Sequence, residues 1–569
     1  MLKSKYSSIL RILFILILFQ LSLFSITNQE LQQLELKIKQ IQKAEEFRLN
    51  RDLYNIIPKT TKLKSDIEQD IKKDKKKSKY CWNLKHIKLE NITKLTKIEQ
   101  LNITNNYINR CVPLNEIDEL INDIIVIYKN KGYISSRVYI KPNQNLKSDT
   151  LELLVLEGKV SDIVFSDNEN NKSVNLDNIF PSMIDNYLNL RDIEQGMEQI
   201  NRLQSNSSIM QIRPSSKIGN STIAIYNDKL KKLSSTINID NLGSESTGRN
   251  QIGVSFSLDN PFNYNDNIGT TYRRTIPFNS TNKNESASLN YNIPYGYYTF
   301  FLGSSISKYF SKIDLDSNNS IDSTGKTINS FISGDKVIYR DENSKINTGI
   351  NLTFKSTKNY IDDIFLTTSS NNLSVLDFNL NYFLLIDNSS TINANISYSQ
   401  GLDSFGATKD TNTTLKSKFK RYNLSLSYMK GLELFGLPAS FSNNLSFQQS
   451  DDSLYGSEQM SIGGFYSVRG FEGVSVSGNK GVVLNNDFSI IKNIYDIDTT
   501  FFIAYDYGRI YSNYDIIGAE LSGAAYGLKF LYNDLFFEVT KVFDISHSSN
   551  IDINSNKGNY TYLNLIYSF

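Results

Sequence analysis

From Leu233 onward the chain alternates between apolar and polar residues. Ile252, Val254, Phe256 and Leu258 are interleaved with Gly253, Ser255 and Ser257, and Leu376, Phe378, Leu380 and Tyr382 with Asp377, Asn379 and Asn381. Leu289-Tyr291-Ile293, Ile392-Ala394-Ile396-Tyr398 and Tyr422-Leu424-Leu426-Tyr428 repeat the pattern. Successive side chains on a strand point to opposite faces, so each segment predicts a strand with one apolar and one polar face. Two architectures fit: a soluble sandwich, or a membrane barrel with lipid outside and water inside. Three features favour the barrel. The region runs for roughly 340 residues without a break, long for one sandwich. Aromatic residues fall at strand ends, where a barrel meets the membrane interfaces. The chain also closes on an amphipathic strand, Thr561 to Phe569, with Leu563, Leu565, Tyr567 and Phe569 on one face. At about 20 residues per strand and connection the region holds roughly sixteen strands, an even number as bacterial barrels require.

Ahead of the barrel the period changes. Trp82 to Leu89 alternates as a strand. Two helical stretches follow, the second at Asn115 to Asn130, with an apolar face made by Ile117, Ile121, Ile124 and Ile125 after Leu114. Gly132 ends it. Ser136 to Lys141 and Thr150 to Glu157 read as strands, giving the order β-α-α-β-β. The order repeats: a strand at Val160 to Phe165, a helix at Asn178 to Leu188, a second helix with Ile193, Met197, Ile200 and Leu203 on its face, and strands at Ile209 to Arg213 and Thr222 to Tyr226. Two units of about 70 residues predict tandem domains, 80–158 and 159–228, before a barrel at 229–569.

The first residues carry an export signature. Lys3, Lys5 and Arg11 precede an almost wholly apolar run from Ile12 to Phe24, short for a spanning helix and suited to a signal peptide over residues 1–26; an uncleaved anchor is the alternative. Residues 27–52 hold a helix, with Leu31, Leu34, Ile38 and Ile41 at helical spacing. A Lys-rich stretch over 53–79 reads as a solvated linker.

Composition narrows the function. The 569 residues hold 61 Lys and Arg against 59 Asp and Glu, so no strong field points to nucleic acid. Two His and two Cys leave little material for metal sites or nucleophilic triads, and no catalytic, metal-binding or cofactor-binding residue is nominated. In an exported chain Cys81 and Cys111 are candidates for a disulfide, whose loop of about 30 residues is worth roughly 3 kcal/mol; two buried free thiols are the alternative.

The sharpest motif is Gly463-Gly464-Phe465-Tyr466-Ser467-Val468-Arg469-Gly470-Phe471-Glu472-Gly473, a Gly-rich aromatic loop near 461–480 with one Arg at its centre. Further on, alternation places Phe501, Ile503, Tyr505 and Tyr507 toward lipid and Phe502, Ala504, Asp506 and Gly508 toward the lumen. Asp506 is then a carboxylate inside a barrel, beside small residues that leave room for a loop. Taken alone, Arg469 is equally a surface-loop residue and Asp506 equally the partner of a lysine on another strand.

With these residues the chain resembles the TpsB-type transporters of two-partner secretion, the haemolysin/haemagglutinin secretion-activation family. In that family a loop folded into the lumen carries a Val-Arg-Gly-Tyr/Phe motif, matched by Val468, Arg469, Gly470 and Phe471. Its Arg docks on an Asp in an (F/G)xDxG motif, matched by Asp506 and Gly508 but departing at Ala504. The paired units resemble POTRA domains, the family's periplasmic substrate-binding modules. Lys131-Gly132-Tyr133-Ile134-Ser135-Ser136-Arg137-Val138-Tyr139 and Leu188-Asn189-Leu190-Arg191-Asp192-Ile193-Glu194-Gln195 are also similar to the family, and Cys81 and Cys111 fall where its members carry a first-domain pair. The resemblance implies an outer-membrane pore that secretes a partner exoprotein of adhesin or haemolysin type, with the POTRA domains recognising the cargo from the periplasm and the helix at 27–52 plugging the resting pore. It further implies outer-membrane lipid and the barrel-assembly machinery as partners. The runner-up is an insertase that places other barrels in the membrane, whose members carry more POTRA units. A passive porin would not need the α/β modules, and an enzyme fused to a barrel lacks a candidate site.

Overall fold

The computed structural model describes residues 81–569 except 145–147, 167–173, 315–319, 368, 411–413, 512–517, 550 and 552–558. The signal peptide, the helix at 27–52 and the linker at 53–79 lie outside the described residues.

Two small α/β units come first. In the first, β2 (His86–Glu90) runs parallel to β5 (Thr150–Leu156), which pairs antiparallel with β4 (Arg137–Ile140). Helix α1 (Lys97–Thr104) begins at a reciprocal cap, in which the Thr96 side chain accepts from the Glu99 amide and Glu99 accepts from the Thr96 amide at 2.7 Å. Helix α2 (Leu114–Asn130) buries Ile117, Leu120, Ile124 and Tyr128 against the sheet and stops before Gly132, whose φ is 89°. The strand expected over Trp82 to Leu89 is broken at Lys85. Its first part, β1 (Cys81–Leu84), pairs with an unforeseen strand, β3 (Arg110–Pro113), while β2 joins the main sheet. The Asp149 carbonyl accepts from both Lys85 and His86 amides at this switch, at 2.7 and 3.1 Å. Cys111 therefore lies in a strand. Its sulfur is bonded to that of Cys81, with the two Cα atoms 5.3 Å apart.

In the second unit β6 (Lys159–Phe165) runs parallel to β8 (Asn220–Lys229), with β7 (Asn206–Pro214) antiparallel at the edge. The helix expected over Asn178 to Leu188 is a correction. Only α3 (Leu176–Ile179) is helical, because Pro181 follows and Ser182 and Asp185 sit at φ of 61° and 63°. The segment instead bonds to β6, the Asp185 amide donating to the Val160 carbonyl and the Val160 amide to that of Asn186. Helix α4 (Leu190–Asn201) follows as expected, with Ile193 and Ile200 buried.

The remainder closes into a barrel from Leu233–Asp240 to Asn559–Ser568. It has sixteen staves, because the two-residue strand Ile364–Phe365 is only an extension paired with Ser344–Ile361, which itself pairs directly with Asn371–Asp387. Closure is antiparallel, the last strand pairing with the first from Asn564↔Asp240 to Ser568↔Thr236. The apolar face points outward: Phe256, Ile350, Phe378, Leu380, Ile396, Tyr422, Phe501 and Ile503 are all exposed. Such a belt matches lipid and would be a liability in water.

The second α/β unit sits on the turns at one end of the barrel. Asn178 Nδ2 donates to the Pro294 carbonyl at 2.7 Å, Tyr297 OH to Asp192 at 2.5 Å, and Arg340 to Gln195 at 2.7 Å. Glu198 takes Arg340 at 2.5 Å and Lys345 at 2.6 Å. The module is thus fixed at the barrel's mouth.

Candidate functional site: the loop inside the barrel

The eleventh and twelfth barrel strands, Leu437–Gln449 and Gly481–Ile494, are joined by a long connection that turns into the lumen. It contains a short ribbon, Met460–Ile462 against Val476–Gly478, which presents the tip between them. The tip meets the wall at the thirteenth strand, Ile497–Ile510. That strand's burial alternates from Phe501 to Gly508, with Phe502, Ala504, Asp506 and Gly508 buried while Phe501, Ile503 and Tyr505 are exposed and Tyr507 is half-buried.

Arg469 and Asp506 form a planar fork. The Arg469 Nε donates to Asp506 Oδ2 at 2.6 Å and an Nη to Oδ1 at 2.7 Å, while the Arg469 backbone amide adds a bond to Oδ2 at 3.0 Å. A two-point bond of this kind requires guanidinium, since a lysine offers only a point charge. Asp506 is fully buried and Arg469 is 9% exposed. The second Nη reaches Asp487 at 2.8 Å, and Asn485 Nδ2 donates to Asp506 Oδ1 at 2.8 Å. Burial works against the charge on Arg469, but the Asp487 and Asp506 carboxylates outweigh it and hold the guanidinium above its ordinary pKa.

The flanking residues seat the fork. Val468 and Phe471 are completely buried, in a cluster with Ile462, Val483, Ile510 and Leu521. Gly470 has φ of 102°, and a Cβ there would lie 2.2 Å from the Phe543 carbonyl oxygen, so no larger residue fits. Gly508 lies beneath Val468, whose Cγ2 would be 2.6 Å from an added Cβ. Ala504, where the motif departs, packs with Phe502, Ala525, Val542 and Tyr562, and Phe465 of the loop stacks edge-on against Tyr562. Glu472 accepts from Tyr562 OH at 2.6 Å, tying the loop to the last strand.

This combination of tandem modules, a closed barrel and an Arg-tipped inner loop coincides with a family match. The model for the haemolysin secretion/activation proteins ShlB/FhaC/HecB matches residues 219–530, and two POTRA models, the first described as ShlB-type, match 82–158 and 159–214. The chain belongs to this family. It is 29% identical over 548 residues to the outer membrane transporter CdiB of Dickeya dadantii, covering 94% of each chain. It is 30% identical over 443 residues to the hemolysin transporter protein ShlB of Serratia marcescens, covering 78% of each. The solved structure of CdiB from Escherichia coli superposes with a TM-score of 0.84 at 25% identity, across 97% of this chain and 100% of that one. As a ShlB/FhaC/HecB member the chain is an outer-membrane transporter, with its POTRA domains in the periplasm.

The motif residues Val468, Arg469, Gly470, Phe471, Asp506 and Gly508 all converge on one spot, while the bonded Cys81 and Cys111 lie far off in the first POTRA domain. Sequence reading missed three participants. Asp487 and Asn485 lie on the neighbouring strand, where Asn485↔Asp506 are paired partners. Gly523 pairs with Asp506 on the other side, and a Cβ there would strike the Arg469 carbonyl oxygen at 1.6 Å. Alternation marks Asp487 and Asn485 as lumen-facing, but only register reveals that they flank Asp506.

Proposed function

We propose that the protein exports one unfolded exoprotein of adhesin or haemolysin type, which its POTRA domains select and its inner loop admits. The observation that carries this reading is an Arg-tipped loop locked inside a barrel whose mouth holds a docked POTRA domain. Each POTRA sheet has a strand paired on one side only within its sheet, Arg137–Ile140 in the first and Asn206–Pro214 in the second. Such edges accept an extended chain by strand addition, with backbone bonds giving affinity and side-chain pockets giving choice. Arg469, held by Asp506 and Asp487, keeps the loop in place, and the segment at 27–52 plugs the resting pore. Folding of the cargo outside makes export directional without catalysis or nucleotide hydrolysis. The barrel stands in outer-membrane lipid after insertion by the barrel-assembly machinery.

Deleting residues 80–226 should abolish secretion of the exoprotein encoded beside this gene while other outer-membrane proteins assemble normally. General loss of outer-membrane proteins on depletion would favour an insertase. Arg469→Ala should cut secretion while the barrel still inserts, and full secretion by that variant would remove the role given to the lock. Bilayer conductance should rise when residues 27–51 are removed; unchanged conductance would remove the plug.

A further inference from the structure

A second buried ion cluster lies on the same loop, eleven residues before Arg469, and no feature of the lock uses it. A single helical turn, Gly456–Glu458, points Glu458 into the wall. Its carboxylate is 1% exposed and takes two cations from different staves: Lys355 at 2.7 Å from Ser344–Ile361, and Arg421 at 2.7 Å from Lys420–Leu434. The Glu458 carbonyl accepts from Gln448 Nε2 at 2.9 Å and from Arg421 at 3.2 Å. Leu454 and Tyr455, just upstream, are buried with Leu373, Val375 and Phe419. The root of the loop is therefore fastened to the seventh, eighth, tenth and eleventh staves, and its tip to the twelfth through sixteenth. The named ion pairs of the two fastenings share no side chain, one of the conditions for their energies to add.

We propose that Glu458 is a separate anchor for the root of the inner loop, so that the tip can leave Asp506 while the root stays held against its own arc of the wall. A carboxylate without water that neutralises two cations resists extraction, because removing it strands both charges in the lumen. The loop then swings about a fixed end and remains within the barrel when Arg469 lets go. Glu458 acts as a positioning residue for the transport path. This goes beyond the role proposed for Arg469, and the root can be tested whichever way that role falls.

The test uses the full-length protein in outer-membrane vesicles. Both native cysteines are bonded to each other, so an introduced thiol is the only reactive one. Ser457→Cys reports the root and Ser467→Cys the tip, each read as the rate of reaction with a membrane-impermeant maleimide. Glu458→Gln should raise labelling of the root at least tenfold and leave the tip unchanged, and Arg469→Ala should do the reverse. In planar bilayers under a KCl gradient, Glu458→Gln should also shift the reversal potential toward anion selectivity, as Lys355 and Arg421 lose their counter-charge. Lys355→Gln, a milder change, should loosen the root in the same direction and carries the test if Glu458→Gln fails to give a heat-shifting folded barrel. Root and tip freed together by either root variant, or a root that stays protected in both, would overturn the proposal.

Discussion

At Asp506 one carboxylate receives a guanidinium fork, a backbone amide and a neighbouring amide side chain, all without solvent. Removing one partner of such a buried pair is costly because the other charge remains, on the order of 3 kcal/mol or more. Asp506→Asn should therefore weaken loop docking by about that amount, tempered by Asp487, which still holds one arm of Arg469. The measurement is maleimide access at Ser467→Cys, expected to increase about a hundredfold for a change near 3 kcal/mol; equal access in Asp506→Asn and the parent would show that the fork does not hold the tip. The Arg and the Asp were legible in the sequence because each sits in a recognisable motif and because alternation assigns Asp506 to the lumen. Asp487, Asn485, Gly523 and Glu458 were not. Their contributions depend on which strand lies beside which and where a loop crosses the lumen, and local patterning carries neither.

The POTRA domains show the same boundary among their elements. Helix α2 was readable from its apolar stripe, and the barrel strands from alternation. The short α3 was not, since the apolar residues after Asn178 serve packing against β6 while Pro181 forbids the helix their spacing suggests. Trp82, the protein's single tryptophan, adjoins the bonded Cys81 and donates to the Ser148 carbonyl at 2.7 Å, so its fluorescence isolates the first POTRA domain within the whole protein. Reduction should lower the urea stability reported by Trp82 by about 3 kcal/mol, because the free loop regains entropy when unfolded; an unmoved midpoint would mean the bridge contributes nothing. A second expectation concerns acid. Lys131 first, then the Thr96 cap, pull the Glu99 carboxyl from an ordinary 4.5 down to about 2. A carboxyl lowered on folding stabilises fully above its unfolded value and loses that contribution as pH falls from about 4.5 through about 2. The Trp82 midpoint should fall across that window, and Glu99→Gln should flatten part of the slope. Glu99 is on the surface, so the effect should also shrink at high salt.

Across the whole molecule the informative joint is the one between the second POTRA domain and the barrel. If cargo is handed from a POTRA strand edge into the pore, that edge must hold a fixed aim. The joint is polar: Glu198 binds Arg340 and Lys345, Asp192 receives Tyr297, and Asn178 reaches the turn carbonyls. Contacts of this kind contribute modest affinity but strong orientation, since each demands a particular geometry and like charges in the same place repel. Glu198→Lys sets three cations together and should break the aim without touching the core of either part, because Ile193 and Ile200 hold α4 in place from its other face. Spin labels on the second POTRA domain and on a periplasmic turn should give one narrow distance in the parent and a broadened distribution in Glu198→Lys. Secretion should fall with that broadening, while the heat-shift of the barrel and the Trp82 transition stay as they were. Arg340→Glu combined with Lys345→Glu in the Glu198→Lys background restores opposite charges across the joint and should narrow the distribution again. A distribution that remains narrow in Glu198→Lys alone would mean that the turn contacts of Asn178 and Tyr297 suffice, and the ion pairs would lose their place in aiming the domain.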